Sequence, residues 1–161
     1  MKKIKTEFSK KAEKLLQVHE NFVRDTMKLT GAFHPMLAFS VKGNVIPVIN
    51  IPDRDVARMS IEMARLMKAE WFVFMNEAYT LDVKVRGSYG KTIEEVRENY
   101  RHGDLESRFK NGDPHVIEVI IVNVFVRKED GTYEKLGSVL DKKTLKRAGK
   151  GEFEGYLGGD N

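Results

Sequence analysis

Two glutamates interrupt apolar stretches of this sequence, and their type and position suit them best for chemistry. Glu77 follows the run Trp71-Phe-Val-Phe-Met75, and Glu118 shares one face of an extended strand with Val116 and Ile120. A carboxylate with such neighbours either is paired with a cation or has a raised pKa. Because enzymes prepare a general acid or base by raising its pKa, both glutamates are candidate catalytic residues. The alternative is that each lies at a strand end and reaches solvent or a lysine.

Three more residues are candidates for ligand binding because each lies at the end of a predicted strand. His34 and His115 come just before apolar, strand-like segments, and Tyr79 follows Glu77 by two residues. Side chains at strand ends are positioned by a rigid sheet and stay accessible, which suits binding. Two histidines without an obvious third ligand do not make a metal site, so the sequence predicts no metal.

Signatures of cofactor and catalytic sites are absent from the sequence. It contains no phosphate-binding loop and no Gly-x-Gly-x-x-Gly or Gly-x-Ser-x-Gly motif. His19-Glu20 begins like the zinc motif His-Glu-x-x-His, but Val23 stands where the second histidine belongs. The lack of cysteine excludes disulfides, thiolate metal sites and a Cys nucleophile. The sequence therefore predicts no cofactor.

Hydrophobic periodicity and turn residues predict the elements that position these side chains. The expected order is a helix over 6–30, a hairpin over 35–51, a helix over 54–69, a strand over 71–79, a short helix near 92–101, a loop over 102–114, strands over 115–127 and 132–140, and a basic helix over 141–148. This order indicates an α+β fold with an antiparallel-rich sheet of about five strands. A long amphipathic N-terminal helix and a second helix pack on that sheet. Residues 1–148 are expected to form one domain, and 149–161 a Gly-rich, mobile tail.

The second helix carries a methionine-rich stripe. The stripe is formed by Val56, Met59, Met63, Leu66 and Met67. Such stripes bind partners in some proteins, but the expected role here is core packing. The long first helix has its own apolar stripe, through which the chain is expected to form a homo-oligomer.

The charge is concentrated at the two ends of the chain. The net charge is +4, while residues 1–14 hold six lysines against two glutamates and residues 141–150 hold five basic residues against one aspartate. Basic ends bind nucleic acid in some proteins, whereas solvated helix faces and tails are the more common reading. No segment is long and apolar enough to span a membrane, and the expected location is cytoplasmic. The scarcity of glutamine beside many Lys, Arg and Glu indicates a thermophilic source.

The order of features from Met36 to Leu140 resembles a group of small phage and prokaryotic proteins with no assigned activity. The resemblance consists of an apolar hairpin, a strand ending in Glu77-Ala-Tyr79, a loop with Asp113-Pro114, a strand containing Glu118 and the turn Asp130-Gly131. It implies no reaction. It only adds interest to Glu77 and Tyr79.

Three functions are compatible with these observations. The first is a non-catalytic accessory or interaction protein, consistent with the missing motifs and the amphipathic first helix. The second is a small hydrolase-like enzyme that uses Glu77 and Glu118, which requires both carboxylates to meet on one side of the sheet. The third is nucleic-acid binding through the basic ends.

Overall fold

The computed structural model describes residues 7–81 and 104–148, and this part of the chain has the predicted α+β architecture. Three helices accompany one antiparallel sheet with the strand order β2-β1-β3-β4-β5. The elements are α1 (Glu7–Thr30), β1 (Met36–Val41), β2 (Asn44–Val48), α2 (Arg54–Leu66), β3 (Trp71–Leu81), α3 (Asp104–Lys110), β4 (Val116–Arg127) and β5 (Tyr133–Asp141). Within these described residues, no helix is both long and apolar enough to cross a membrane.

The two longest strands, β3 and β4, form the centre of the sheet. They pair from Trp71 opposite Val126 to Leu81 opposite Val116. Both strands are apolar on both faces, which is expected of strands that are covered on both sides. The β3–β4 pairing is the scaffold for Glu77, Tyr79 and Glu118.

One face of the sheet, here called the α1 face, packs against the first helix. Val73 and Met75 of β3 and Val122 of β4 are buried there beneath Leu16 and Val23 of α1. The helix lies mainly over β4 and β5. Burying one such side chain contributes about 1.5–3 kcal/mol, so this cluster fixes α1 on the sheet.

The opposite face, here called the α2 face, packs against the second helix in a different way from the prediction. The residues of α2 that are buried against the sheet are Ala57, Ser60, Ile61 and Ala64. Of the predicted stripe, Val56 packs partly against this core. The predicted burial of its other members, Met59, Met63, Leu66 and Met67, is wrong. The sheet contributes Phe39, Phe72 and Phe74 to this core, and these rings fill the space between the layers. Small side chains on the helix let it approach such a bulky surface.

Local sequence signals set the ends of several elements. Asp53 caps α2 as its side chain accepts a hydrogen bond from Val56 N at 2.9 Å. Lys42 and Gly43 have positive φ values of 50° and 79°, as a two-residue type I′ hairpin turn requires. Since Val41 and Asn44 close this turn, the alternation of hydrogen bonds directs Pro47 of β2 away from β1. The edge strand thus has a proline where a free N–H would otherwise face solvent.

Two predicted elements differ from the structure, and two lie outside the described residues. Residues 104–110 form α3 rather than a loop. The predicted basic helix over 141–148 is a turn followed by a return to β5, in which Ala148 N donates to Val139 O at 2.8 Å. We call residues 142–148 the C-terminal hook. The predicted helix near 92–101 and the tail over 149–161 fall outside the described residues.

Candidate functional site

The five candidate residues from the sequence lie toward one end of the sheet, where β1 begins, β3 ends and β4 begins. Tyr79 is directly opposite Glu118 in the β3–β4 ladder, and Glu77 is opposite Ile120. Because side chains alternate along a strand, Glu77, Tyr79 and Glu118 share the α1 face. Along the strands, they lie next to the apolar residues Met75 and Ile120 that α1 covers, on the side toward the end of β3.

A lysine from the C-terminal hook joins the two glutamates. Lys142 Nζ is 3.1 Å from Glu77 Oε2 and 3.4 Å from Glu118 Oε2. The backbone reinforces this position, since Lys142 N donates to Glu118 O at 3.0 Å. All three side chains are partly exposed, with 23% exposure for Lys142, 36% for Glu77 and 27% for Glu118. We call Glu77, Glu118, Lys142 and Tyr79 the strand-end cluster.

Lys142 and Tyr79 of the strand-end cluster are not activated as a base or a nucleophile. Partial burial acts to lower the pKa of Lys142, but the hydrogen bonds and charges of Glu77 and Glu118 outweigh it and raise the pKa. Burial and the negative charge of Glu118 raise the pKa of Tyr79. Lys142 therefore stays an ammonium and Tyr79 stays protonated at neutral pH. A catalytic lysine or tyrosine requires a shift in the other direction.

The third helix borders this cluster. The ring of Phe109 in α3 lies 5.3 Å from that of Tyr79, centroid to centroid. On the same helix, Lys110 Nζ contacts Glu106 Oε1 at 2.8 Å, and this contact raises the pKa of Lys110. The helix adds one more compensated ion pair to this end of the sheet.

Each of the two histidines precedes a strand, His34 before β1 and His115 before β4. His34 lines an open depression of about 470 Å³ together with Pro35, Asn50, Ile51 and Pro52. His115 precedes β4, and its backbone N–H is held by Asp113 Oδ1 at 2.9 Å. Among the described residues, no group of three His, Asp or Glu side chains is placed to hold a metal ion.

Sequence reasoning missed Glu20 of α1, the most deeply buried charged residue in the described part of the chain. Its side chain is 2% exposed and faces Arg147 of the hook. Arg147 Nε donates to Oε2 at 2.8 Å and Nη2 to Oε1 at 2.6 Å, and Ser138 donates from 3.1 Å. The signal in the sequence was a glutamate within the apolar stripe of α1, between Leu16 and Val23. Its partner lies 127 residues further along the chain, so spacing could not identify it.

Two asparagines are buried on the α2 face of the sheet, next to each other on the diagonal between β3 and β4. Asn76 and Asn123 are 5% and 1% exposed, so neither is a solvent-facing residue. Their side-chain oxygens have no hydrogen-bond partner in the described part of the chain. A Cβ on Gly137 of β5 would lie 2.5 Å from Asn123 Oδ1, so the close approach of Asn123 requires glycine there.

The methionine stripe of α2 leaves four large apolar side chains exposed on one side of a helix. The exposed fractions are 69% for Met59, 41% for Met63, 81% for Leu66 and 44% for Met67. Their spacing of four, three and one residues places them on one side of the helix, which we call the outer face of α2. A cluster of large exposed apolar side chains is typical of an interaction surface, whereas single exposed apolar residues are common on any protein.

The first helix also exposes apolar side chains, but with a charged interruption. Val18, Phe22 and Leu29 are 54%, 43% and 85% exposed. Asp25 occupies the position between Phe22 and Leu29 on the same side of the helix. Burial of this face against a partner would therefore also bury a carboxylate. Self-association through α1 stays a prediction.

The basic C-terminal segment is partly neutralised within the molecule. Lys142 is paired with Glu77 and Glu118, and Arg147 is paired with Glu20. Two of the cations that led to the nucleic-acid hypothesis are therefore occupied, which reduces the attraction of this segment for phosphates.

No protein-family model, no curated protein and no solved structure matches this chain. The resemblance to the phage and prokaryotic group therefore stays a prediction.

Proposed function

We propose that this protein is a non-catalytic interaction domain that binds an apolar helix through the outer face of α2. The observation that carries the proposal is the rotation of α2 about its axis, which turns its large apolar side chains away from the sheet. Its small residues face the sheet, and four large apolar side chains, Met59, Met63, Leu66 and Met67, face outward.

The physical reason lies in the energy of the exposed surface. Removing apolar area from water contributes about 25 cal/mol per Å², and these four side chains cannot gain it from their own sheet. A partner that covers them supplies that gain. Methionine is flexible and polarisable, so it adapts to the surface of an incoming helix.

The strand-end cluster supports the non-catalytic part of the proposal. Both carboxylates that would serve as acid and base contact the same ammonium, Lys142. Two open depressions on the described part of the chain, near His34 and near Lys110, are lined by neither Glu77 nor Glu118. The cluster is thus better suited to fixing the C-terminal hook on the sheet than to holding a substrate.

A labelled amphipathic peptide tests the proposal. The probe is a synthetic helix with a leucine stripe and equal numbers of Glu and Lys on its polar side, and the measurement is fluorescence anisotropy. We expect saturable binding that Met63→Glu and Leu66→Glu each weaken by at least about tenfold, as is typical of central interface residues. The double variant Glu77→Gln/Glu118→Gln, which alters the strand-end cluster, should bind like the wild type.

Two results would contradict the proposal. One is the absence of saturable binding to the wild-type protein. The other is binding that responds to the Glu77→Gln/Glu118→Gln change but not to Met63→Glu or Leu66→Glu. Circular dichroism of each variant verifies that the fold is retained, which is expected because both substituted α2 positions are exposed.

A further inference from the structure

We propose that the helix bound by the outer face of α2 is α2 of a second copy of this chain, packed antiparallel. The inference rests on the proposed function and adds the partner and the register. The order of charges beside the outer face is the feature that selects a second copy.

Charges of alternating sign run along one side of the outer face. In chain order they are Asp55, Arg58, Glu62 and Arg65. Steps of three and four residues keep them on one side of the helix. Read in the reverse direction, the pattern changes sign at every position. An antiparallel copy therefore sets opposite charges against each other. In a parallel symmetric pair, the charged sides of the two helices lie on opposite sides of the contact and do not meet.

The antiparallel arrangement defines a register. Arg58 of each copy lies against Glu62 of the other, and Arg65 of each lies against Asp55 of the other. A two-fold axis repeats both pairs, as in any symmetric dimer. The same register brings Met59 of each copy beside Met63 of the other. One arrangement therefore buries the apolar side chains and pairs the charges beside them.

The ion pair between Arg65 and Glu62 does not compete strongly with the dimer. Arg65 Nη1 lies 3.8 Å from Glu62 Oε1 within the helix, and the two side chains are 50% and 64% exposed. An exposed pair of this kind contributes at most about 1 kcal/mol. Both groups can therefore exchange this contact for one across the interface at small cost.

The size of the surface sets the strength of the dimer. Each copy contributes only the outer face of α2, whose 13 residues span about 20 Å and so form a short interface. A stable dimer usually covers about 800 Å² on each copy. We therefore expect a weak dimer that forms in the high micromolar range and dissociates on dilution.

Sedimentation velocity on the full chain tests the inference, from about 10 μM to about 1 mM. The wild type is expected to shift from monomer to dimer over this range. Met63→Glu, or Leu66→Glu as a second variant, should raise the dissociation constant by at least about tenfold. The matched control is Phe22→Glu on the exposed side of α1, which should dimerise like the wild type.

A charge exchange tests the register. Arg58→Glu alone and Glu62→Arg alone each set like charges across the interface, so each should weaken the dimer. The double variant Arg58→Glu/Glu62→Arg restores opposite charges and should regain wild-type association. A double variant as weak as the singles would overturn the antiparallel register.

Two other outcomes separate this inference from the proposed function. A wild type that stays monomeric at about 1 mM while binding the amphipathic peptide would overturn the second copy as partner and leave the interaction domain standing. A dimer that Phe22→Glu disrupts and Met63→Glu does not would place self-association on α1 and overturn the inference.

Discussion

The carboxylate of Glu20 and the guanidinium of Arg147 join the first helix to the last segment of the described chain. Glu20 is almost fully buried, and two hydrogen bonds from Arg147 compensate its charge. Arg24 strengthens the same connection, since its Nε donates to Leu145 O at 2.9 Å. The hook is therefore held on α1 by charge-assisted hydrogen bonds, which are the stronger class.

Loss of Arg147 should destabilise the protein more than loss of a neighbouring surface lysine. Arg147→Ala leaves Glu20 buried without its main partner, and we expect a loss of about 2–4 kcal/mol in the free energy of unfolding. The control Lys143→Ala removes a charge from an exposed position of the hook and should change stability by less than about 0.5 kcal/mol. Urea denaturation measures both. Equal, small losses would contradict the role assigned to the Glu20–Arg147 pair.

The pH dependence of stability should show two acid steps. Burial alone would raise the pKa of Glu20, but Arg147, Ser138 and Arg24 outweigh it, and the pKa lies below its ordinary value of 4.5. Its contribution is therefore complete above pH 4.5 and lost as the pH falls through the lower, folded-state pKa. Burial lowers the pKa of His19 below 6.5, so the unfolded chain takes up that proton first and stability declines from pH 6.5 downward.

Two variants separate these steps. Glu20→Gln should be less stable at neutral pH and should lose the step below pH 4.5 while it keeps the one that begins at 6.5. His19→Phe should lose the step that begins at pH 6.5 and keep the one below pH 4.5. Urea denaturation at several pH values measures the profiles. A Glu20→Gln profile parallel to that of the wild type would show that the carboxylate does not carry the acid step.

At the scale of elements, the position of Pro47 protects the open edge of the sheet. Pro47 removes the N–H that would otherwise face outward from β2, so another strand cannot pair there continuously. Pro47→Val restores this donor, and we expect higher-mass species in size-exclusion chromatography with light scattering. The Met63→Glu background excludes association through α2. Adding Val45→Lys, a charge on the same exposed strand, should reverse the effect. Pro47→Val samples that stay as monodisperse as their parent would contradict this account.

The second helix shows how far the sequence could predict this structure and where it could not. Its start at residue 54 followed from periodicity and turn residues, and its end lies at Leu66, three residues before the predicted one. Its orientation did not follow from these signals, because the sequence contains two compatible stripes, one of large apolar and one of small residues. The choice depends on the aromatic side chains that the sheet presents, Phe39, Phe72 and Phe74, and those are assembled from separate strands. Residue size across the interface decided the orientation, not hydrophobicity along the helix.

The strand-end cluster likewise shows which part of a site the sequence could predict and which part it could not. The sequence identified Glu77 and Glu118 as carboxylates in apolar strands, and it left open that each reaches a lysine. Which lysine it is depends on the hook, whose turn after β5 brings Lys142 back over the sheet. Periodicity had favoured a helix in that segment. Long-range contacts of this kind are fixed by tertiary packing rather than by local spacing.

At the scale of the whole molecule, the described part of the chain has a closed side and an open side. On the α1 face, the helix and the C-terminal hook are tied together by Glu20, Arg24 and Arg147. On the other face, the second helix turns its large apolar side chains outward. The proposed function follows from this asymmetry, because the ion-paired residues are already satisfied and the outer face of α2 is not.

Oxidative footprinting of the methionines measures this asymmetry directly. Within the described residues, Met59, Met63 and Met67 are on the outer face of α2, while Met75 is fully buried in the sheet and serves as an internal reference. In dilute solution we expect the three helix methionines to oxidise much faster than Met75, and to become protected together as the protein concentration rises into the dimer range. Rates that do not depend on concentration, or helix methionines as slow as Met75 in dilute solution, would contradict the account.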